Sequence, residues 1–549
     1  MRTLGKFLIS TSVALVLCAC TPEQGRQAPS LESLIAAQPA DFDELDPPVR
    51  EQFHTLQREA LNRIEQGAEG APLANAVGAL GMWHHVYYAW DPDSAFHLYA
   101  TAAQLNPTDA RWPYYTGFTA LKLGRLDEAR KAFEAVAAIN PNDAPALIHL
   151  AEIDLQQGQA AQARTLFLRI QQLQPGSPRV LGGLGDAAFQ EGDYATAIDY
   201  LKQALELWPD APQLNYKLAL AYQRTGQTEL ANQQFEDTPH SQAVPDLAFD
   251  NPYQKVLLDM NVGSLSKVSL ARQALAARNT AEAIRLGREA VQIAANRKTP
   301  LLNLASIYVQ TGQFTNAIRT VNDIEKEFGP LPAAIVLRAL AYDRSNQMDA
   351  ALRDYRAVVE QDPANLQALI GAGEVARRAG NLPQALEWYG QAVETNPGQV
   401  APRLMRARAL WHLGDVETLS KTLAEDVATH PGSAWLMALR ARIMVAGSDQ
   451  TTIRAGMSLA VSVYRQQPTI FSTQTLAMGL AGLGRFQDAA IWQQMAVSSL
   501  FATASPGLFQ LAQARLDRIN SGETQWPEAL DDFDTLSAPL PNPPPPPAF

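Results

Sequence analysis

The sequence predicts an all-α solenoid, antiparallel helix pairs stacked about eleven times in two blocks. Three observations carry the prediction. The first is register: Gly124, Gly158, Gly192 and Gly226 stand 34 residues apart, as do Ala129, Ala163, Ala197 and Ala231, and Pro141, Pro175 and Pro209. The same step returns in Gly312, Asn346, Gly380 and Gly414, with Ala317, Ala351 and Ala385, and then Pro363, Pro397 and Pro431, in phase. The second is hydrophobic spacing: in "DEARKAFEAV" Ala129, Phe133 and Val136 fall at i, i+4 and i+7, one face of a helix. The third is composition. Of 549 residues, 47% are hydrophobic and 18% charged, enough apolar surface for a core that grows along a repeat axis.

Each landmark of one period, "ARWPYYTGFTALKLGRLDEARKAFEAVAAINPND" (residues 110–143), has a physical reason. Leu121 and Leu123 end a first helix at Gly124, where left-handed backbone costs a glycine little. Ala129 is small because two helices approach closely there, and Pro141 ends the second helix because it cannot continue one. A pair this short cannot bury its apolar face alone, so stacking supplies the core. Gly117, Gly124, Ala129, Phe133 and Pro141 sit where the tetratricopeptide (TPR) consensus has small, small, small, aromatic and proline. The chain resembles TPR proteins over roughly residues 74–503. The resemblance implies a right-handed superhelix whose first helices line a concave groove.

Breaks in register mark the domains. Gly226 to its next equivalent, Arg278, is 52 residues, and the excess falls in a segment holding Pro239, Pro245 and Pro252. An N-terminal block (74–236), a joint (237–263) and a C-terminal block (264–503) follow, then a capping helix (504–520). The repeat at 434–469 has degenerate turn chemistry. Residues 20–48, rich in proline, are expected to be a tether, and 49–73 an N-terminal helical segment. Residues 521–549 form an acidic and proline-rich tail. Its "PLPNPPPPPAF" favours extended polyproline II backbone.

The first residues are an address. Arg2 and Lys6 precede an apolar run, Phe7 to Leu17, that is too short to span a bilayer but suits a secretory signal. Leu17-Cys18-Ala19-Cys20 resembles the bacterial lipobox, in which a small residue precedes a cysteine that is diacylated and becomes the mature N-terminus. That resemblance implies a lipoprotein signal peptide over 1–19 and lipidation of Cys20. Thr21, in place of the aspartate that retains enteric lipoproteins at the inner membrane, implies the periplasmic face of the outer membrane. An ordinary signal ending at Ala19 is the alternative. Cys18 suits the acceptor role less well, because bulky Leu17 precedes it. No His or carboxylate cluster adjoins the pair to suggest metal or redox use, and no cysteine follows Cys20 for a disulfide or a zinc site.

Catalytic and cofactor signatures are absent: no H-E-x-x-H, G-x-S-x-G, Walker loop or dinucleotide fingerprint occurs. "LGGLGD" (181–186) falls inside a first helix, where packing explains its glycines. A net charge of −12 and pI of about 5.3 argue against nucleic acid, whose affinity comes from lysine and arginine on phosphates. The TPR resemblance implies protein segments as partners, acidic ones among them if an arginine stripe in the C-terminal block is a groove wall, and the lipobox resemblance implies a membrane through the N-terminal lipid.

Two candidate surfaces stand out. Trp83, Tyr87, Trp90, Trp112 and Tyr114 crowd one region with His84 and His85, either as a platform for a glycan or peptide or as the packing of a first repeat. Adjacent histidines on a helix point about 100° apart and cannot share one metal in the usual way. In the C-terminal block, the TPR resemblance places Glu374, Arg408 and Arg442 at one groove position, Arg344, Arg378 and His412 at another, and Arg377 beside Arg378. Such an arginine stripe would hold carboxylates. It does not reproduce the lysine–asparagine clamp of chaperone-binding TPR domains. A solvated wall is the bland alternative, and the acidic 523–534 stretch folding back onto it is a third. The expected role is a non-catalytic envelope scaffold or adaptor. The alternative is a glycan- or ligand-binding accessory subunit using the aromatic cluster.

Overall fold

A computed structural model describes residues 30–39, 41–87, 92–209, 211–236, 251–502, 506–541 and 543–547. The fold is all-α, with twenty-eight α-helices among the described residues, most of them packed mainly on their sequence neighbours in antiparallel pairs. Cys20 and Trp90 lie outside the described residues, as do the signal segment and residues 237–250 of the joint. The chain parts into two compact units between Ser266 and Lys267, with Ile293–Ala295 belonging to the first.

In the first unit the repeat geometry follows the consensus. Helices Arg111–Lys122 and Leu126–Ile139 pack through Gly117, where an added Cβ would lie 2.9 Å from the Phe133 ring. The pairs Ala144–Gln156 with Ala160–Leu173, Pro178–Glu191 with Tyr194–Leu207, and Pro212–Arg224 with Thr228–Glu236 repeat the arrangement. "LGGLGD" lies within Pro178–Glu191, and its glycines pack against neighbouring helices.

In the second unit the pairs run from Thr280–Ile293 to Phe486–Ala502, and a last helix spans Pro506–Ser521. The turn after a first helix is left-handed in both units, at φ +72° for Gly124 and +74° for Gly312. Arg278 and Asn346 hold the same conformation, at φ 60° and 61°, without a glycine's freedom. Asparagine tolerates it; arginine does so only at a cost. Arg278→Gly is therefore expected to raise the stability of the second unit by about 0.5–1 kcal/mol, read as a higher denaturant midpoint with unchanged slope.

Two stretches differ from the sequence expectation, and in a third, one of the alternatives left open is found. The described part of the tether is folded: a helix spans Leu31–Ala36, and Ile35 and Phe42 are buried with Val49 and Phe53 of helix Pro47–Glu65. The described part of the joint contains a helix, Pro252–Asp259, with Tyr253 buried. Its proline stands at the first helical position, where the missing N–H would have had no partner, so it starts the helix instead of breaking it. The acidic part of the tail folds back, the third of the readings the sequence left open for the stripe. Trp526, Ala529, Leu530, Phe533, Leu536 and Leu540 are buried in the cores of the second unit. Burial of these apolar side chains holds the segment against the unit.

Candidate functional site

The C-terminal unit seats its own acidic segment through a buried ion cluster. Helix Ala434–Val445 carries Arg442, helix Ile470–Gly482 carries Gln474 and Thr475, and helix Pro506–Ser521 carries Arg515. Arg442, Gln474 and Arg515 converge on Asp532, which is 1% exposed, while Arg442 and Arg515 are fully buried. Arg442 Nη1 donates to Asp532 Oδ1 at 2.9 Å, Arg515 Nη1 lies 2.9 Å from Oδ2, and Gln474 Nε2 donates to Oδ2 at 2.8 Å. The remaining Arg442 donors meet Thr475 Oγ1 at 2.7 Å, Ala529 O at 3.0 Å and Phe471 O at 2.5 Å, and the guanidinium lies 3.8 Å from the Phe471 ring centroid. Main-chain bonds extend the seat: Ile470 N donates to Ala538 O at 2.8 Å and Leu540 N to Pro468 O at 2.9 Å.

The electrostatics follow from burial and pairing. Burial opposes ionisation of Asp532, but Arg442 and Arg515 beside it more than offset that, and its carboxyl sits below the usual range. Burial lowers Arg442 to about 10, with Asp532 opposing the shift and Arg515 adding to it. A second, outer layer of contacts is wet. Arg408 lies 3.3 Å from Asp534, whose side chain is 66% exposed, and Trp411 Nε1 donates to Asp531 Oδ1 at 2.8 Å. Exposed pairs of this kind contribute only about 0.2–1 kcal/mol.

The arginine stripe is thus brought onto consecutive first helices, but its members have different fates. Arg442 is not open to a partner; it is a buried seat for Asp532, because the tail's apolar residues cover it. Arg408 meets the outer aspartate. Arg377 pairs with Glu374 at 2.8 Å, and Tyr389 Oη donates to the same carboxylate at 2.6 Å. Arg378 pairs with Asp343. Arg344 and His412 are exposed. Burial, then Arg408 and Arg377, lower the His412 pKa. Sequence reasoning misses Arg515, Gln474 and Trp411. The first two lie outside the groove register, and Trp411 stands one residue before a predicted groove position.

Trp83, Trp112 and Tyr114 of the N-terminal aromatic cluster are core, not platform, and Tyr87 is half-buried. Trp83 and Trp112 are 0% and 1% exposed, and Trp83 Nε1 donates to Val49 O at 3.0 Å. His84 is buried and pulled down to about 4 by that burial; His85 reaches about 4 through burial and nearby Lys122. Tyr114, also buried, instead faces a segment of the first unit's own chain. The Tyr253 ring stacks on it at 3.9 Å and 13°, Asn251 Nδ2 donates to Tyr114 Oη at 2.8 Å, and Tyr115 Oη donates to Tyr253 O at 2.8 Å. Tyr253 Oη donates to Asp143 Oδ2 at 2.6 Å. Farther along, Tyr87 Oη donates to Met260 O at 3.2 Å and accepts from Val262 N at 2.7 Å. Beyond this segment, Glu152 meets Arg179 at 2.8 and 2.9 Å. Burial works against its ionisation, yet bonds from His149 and Arg179 hold the carboxyl at about 2.

Among the described residues no cluster of His, Cys, Asp or Glu is arranged to hold a metal, and no helix is long and apolar enough to cross a membrane.

These features define a solenoid with peptide-seating walls, and sequence comparison identifies its repeats. Tetratricopeptide repeat models match residues 120–186 and 274–337, and a second such model matches 85–144 and 336–400. A further TPR repeat model matches 185–226. The chain carries tetratricopeptide repeats over these residues, repeats of a class that mediates protein–protein interaction and is typically non-catalytic. No curated protein matches. Among solved structures, MamA (residues 41 to the end) from Desulfovibrio magneticus RS-1 is 19% identical, covering 30% of this chain and 92% of its own, with a TM-score of 0.29. MamA AMB-1 is 22% identical, covering 30% of this chain and 95% of its own, at 0.27. MamA MSR-1 is 22% identical, with 30% and 98% covered, at 0.27.

Proposed function

We propose that this protein is a non-catalytic scaffold or adaptor of the bacterial envelope, binding protein segments through its TPR walls and anchored by lipid on Cys20 at the periplasmic face of the outer membrane. One observation carries the binding half. In each unit the wall seats a segment of the chain itself, by side-chain bonds to backbone carbonyls and to one carboxylate. Walls that satisfy one polypeptide segment have the chemistry to satisfy another. The glycan alternative loses most of its support, because Trp83, Trp112 and Tyr114 are buried. The anchoring half rests on the order of positive region, apolar run and lipobox; two or more acyl chains give stable attachment where one is marginal.

A photo-crosslinking residue tests the binding half. Placed at position 344 it is expected to trap protein partners from envelopes, and placed at position 387, on the exposed face of a second helix, to trap none. Equal trapping at both, or none at either, overturns the reading. For the anchor, radioactive fatty acid should label the wild type and not Cys20→Ser, which should leave the membrane pellet. Undiminished label on the variant refutes it.

A further inference from the structure

The contacts of the acidic segment fall into two tiers that differ in how hard they are to break. Asp532 is sealed between Arg442, Arg515 and Gln474. Asp531 and Asp534 flank it on the outside, exposed, touching only Trp411 Nε1 and Arg408 among the stripe residues. Both outer side chains can swing into solvent by side-chain rotation while Asp532 and the backbone stay seated. The outer tier is therefore a removable cover. On first helices of the same unit, Arg344 is exposed and makes no ion pair among the described residues, and His412, its pKa lowered, stands exposed beside Arg408 as a hydrogen-bonding group.

We propose that the wall of Arg408, Trp411 and His412, running on to Arg378 and Arg344, is the docking surface for an acidic protein segment, and that Asp531 and Asp534 are its built-in competitors. The proposal rests on the scaffold reading and names the partner's chemistry. Carboxylates of the partner take the Arg408 guanidinium and the Trp411 N–H, displacing the two aspartates, and further carboxylates reach Arg344. The partner thus mimics what the chain already presents to its own wall. The Arg408 guanidinium remains held over the Phe533 ring, 5.3 Å from its centroid, which keeps it oriented in both states.

The test uses the whole mature chain and a fluorescent peptide with the chain's own sequence EALDDFDTL, residues 528–536. Asp531→Asn with Asp534→Asn removes the competing charges and leaves the buried tier intact. That variant is expected to bind the peptide at least about five-fold more tightly than the wild type, with affinity falling as salt rises. Adding Arg408→Glu should abolish the gain, and a peptide with every Asp and Glu replaced by Asn and Gln should not bind. If Arg408→Glu fails to fold, Trp411→Phe, which removes only the N–H donor and the indole's second ring, should reduce the gain instead. Equal affinity in wild type and the double Asn variant overturns the proposal, as does binding indifferent to Arg408 and Trp411. Dimerisation of the double Asn variant in sedimentation, competed by the peptide, would assign the wall to a second copy and overturn an external partner. A partner trapped from position 344 but insensitive to Asp531 and Asp534 sinks this inference and spares the scaffold; the reverse result sinks the scaffold alone.

Discussion

Asp532→Asn is expected to destabilise the C-terminal unit by about 3–5 kcal/mol, because it leaves two fully buried guanidiniums without their shared counter-ion. Gln474 cannot compensate, since its Oε1 already accepts from Arg515 at 2.8 Å. Denaturant unfolding should show the loss. Limited proteolysis should show its location, as cleavage in the exposed stretch 521–525 once the segment no longer seats. The same substitution has a pH signature. The folded-state pKa of Asp532 lies below the ordinary value of 3.8, so its stabilisation is complete above that value and is lost as pH falls through the folded pKa. The gap between wild type and variant should therefore be full at neutral pH and narrow in acid. A gap independent of pH would mean that packing, and not charge, holds the segment.

The sequence reveals the repeat because each landmark is local. Gly124 ends a helix within its own turn, and Ala129 and Phe133 meet a neighbour one helix away. The sites are less legible because their partners are distant. Arg442 is in groove register, yet its fate is decided by Asp532, ninety residues on. Arg515 sits in the terminal helix, where no period points to it. By composition the tail reads as acidic and proline-rich. Its apolar residues carry the contrary signal: Trp526, Leu530, Phe533, Leu536 and Leu540 recur every three or four residues, the mark of a segment with one buried side. Tyr253 gives no such signal, standing among prolines where no period points to it. The crowding of Trp83, Trp112 and Tyr114 is visible, but rings that pack and rings that display are alike in sequence.

Tyr253→Ala should have the largest effect in the N-terminal unit, about 3–5 kcal/mol, the range for removing a buried aromatic side chain. Two losses combine. The stacked face of Tyr114 is uncovered, and Asp143, itself buried, loses the hydroxyl that donates at 2.6 Å. Tyr253→Phe separates them. It keeps the stack and removes only the hydrogen bond to a carboxylate, so about 1.5–3 kcal/mol is expected. Asp143 also caps helix Ala144–Gln156 by accepting from Ala146 N through its other oxygen, Oδ1, at 3.1 Å, so the Phe variant should leave that helix intact. Hydrogen exchange distinguishes the outcomes. In Tyr253→Ala, amides of 251–264 should lose protection and the wall around Tyr114 and Tyr115 should open to solvent. In Tyr253→Phe the segment should stay seated. Retained protection in the Ala variant would mean that the bonds from Tyr87 to Met260 and Val262 suffice to hold the segment, and that Tyr253 is an ornament of the seat and not its anchor.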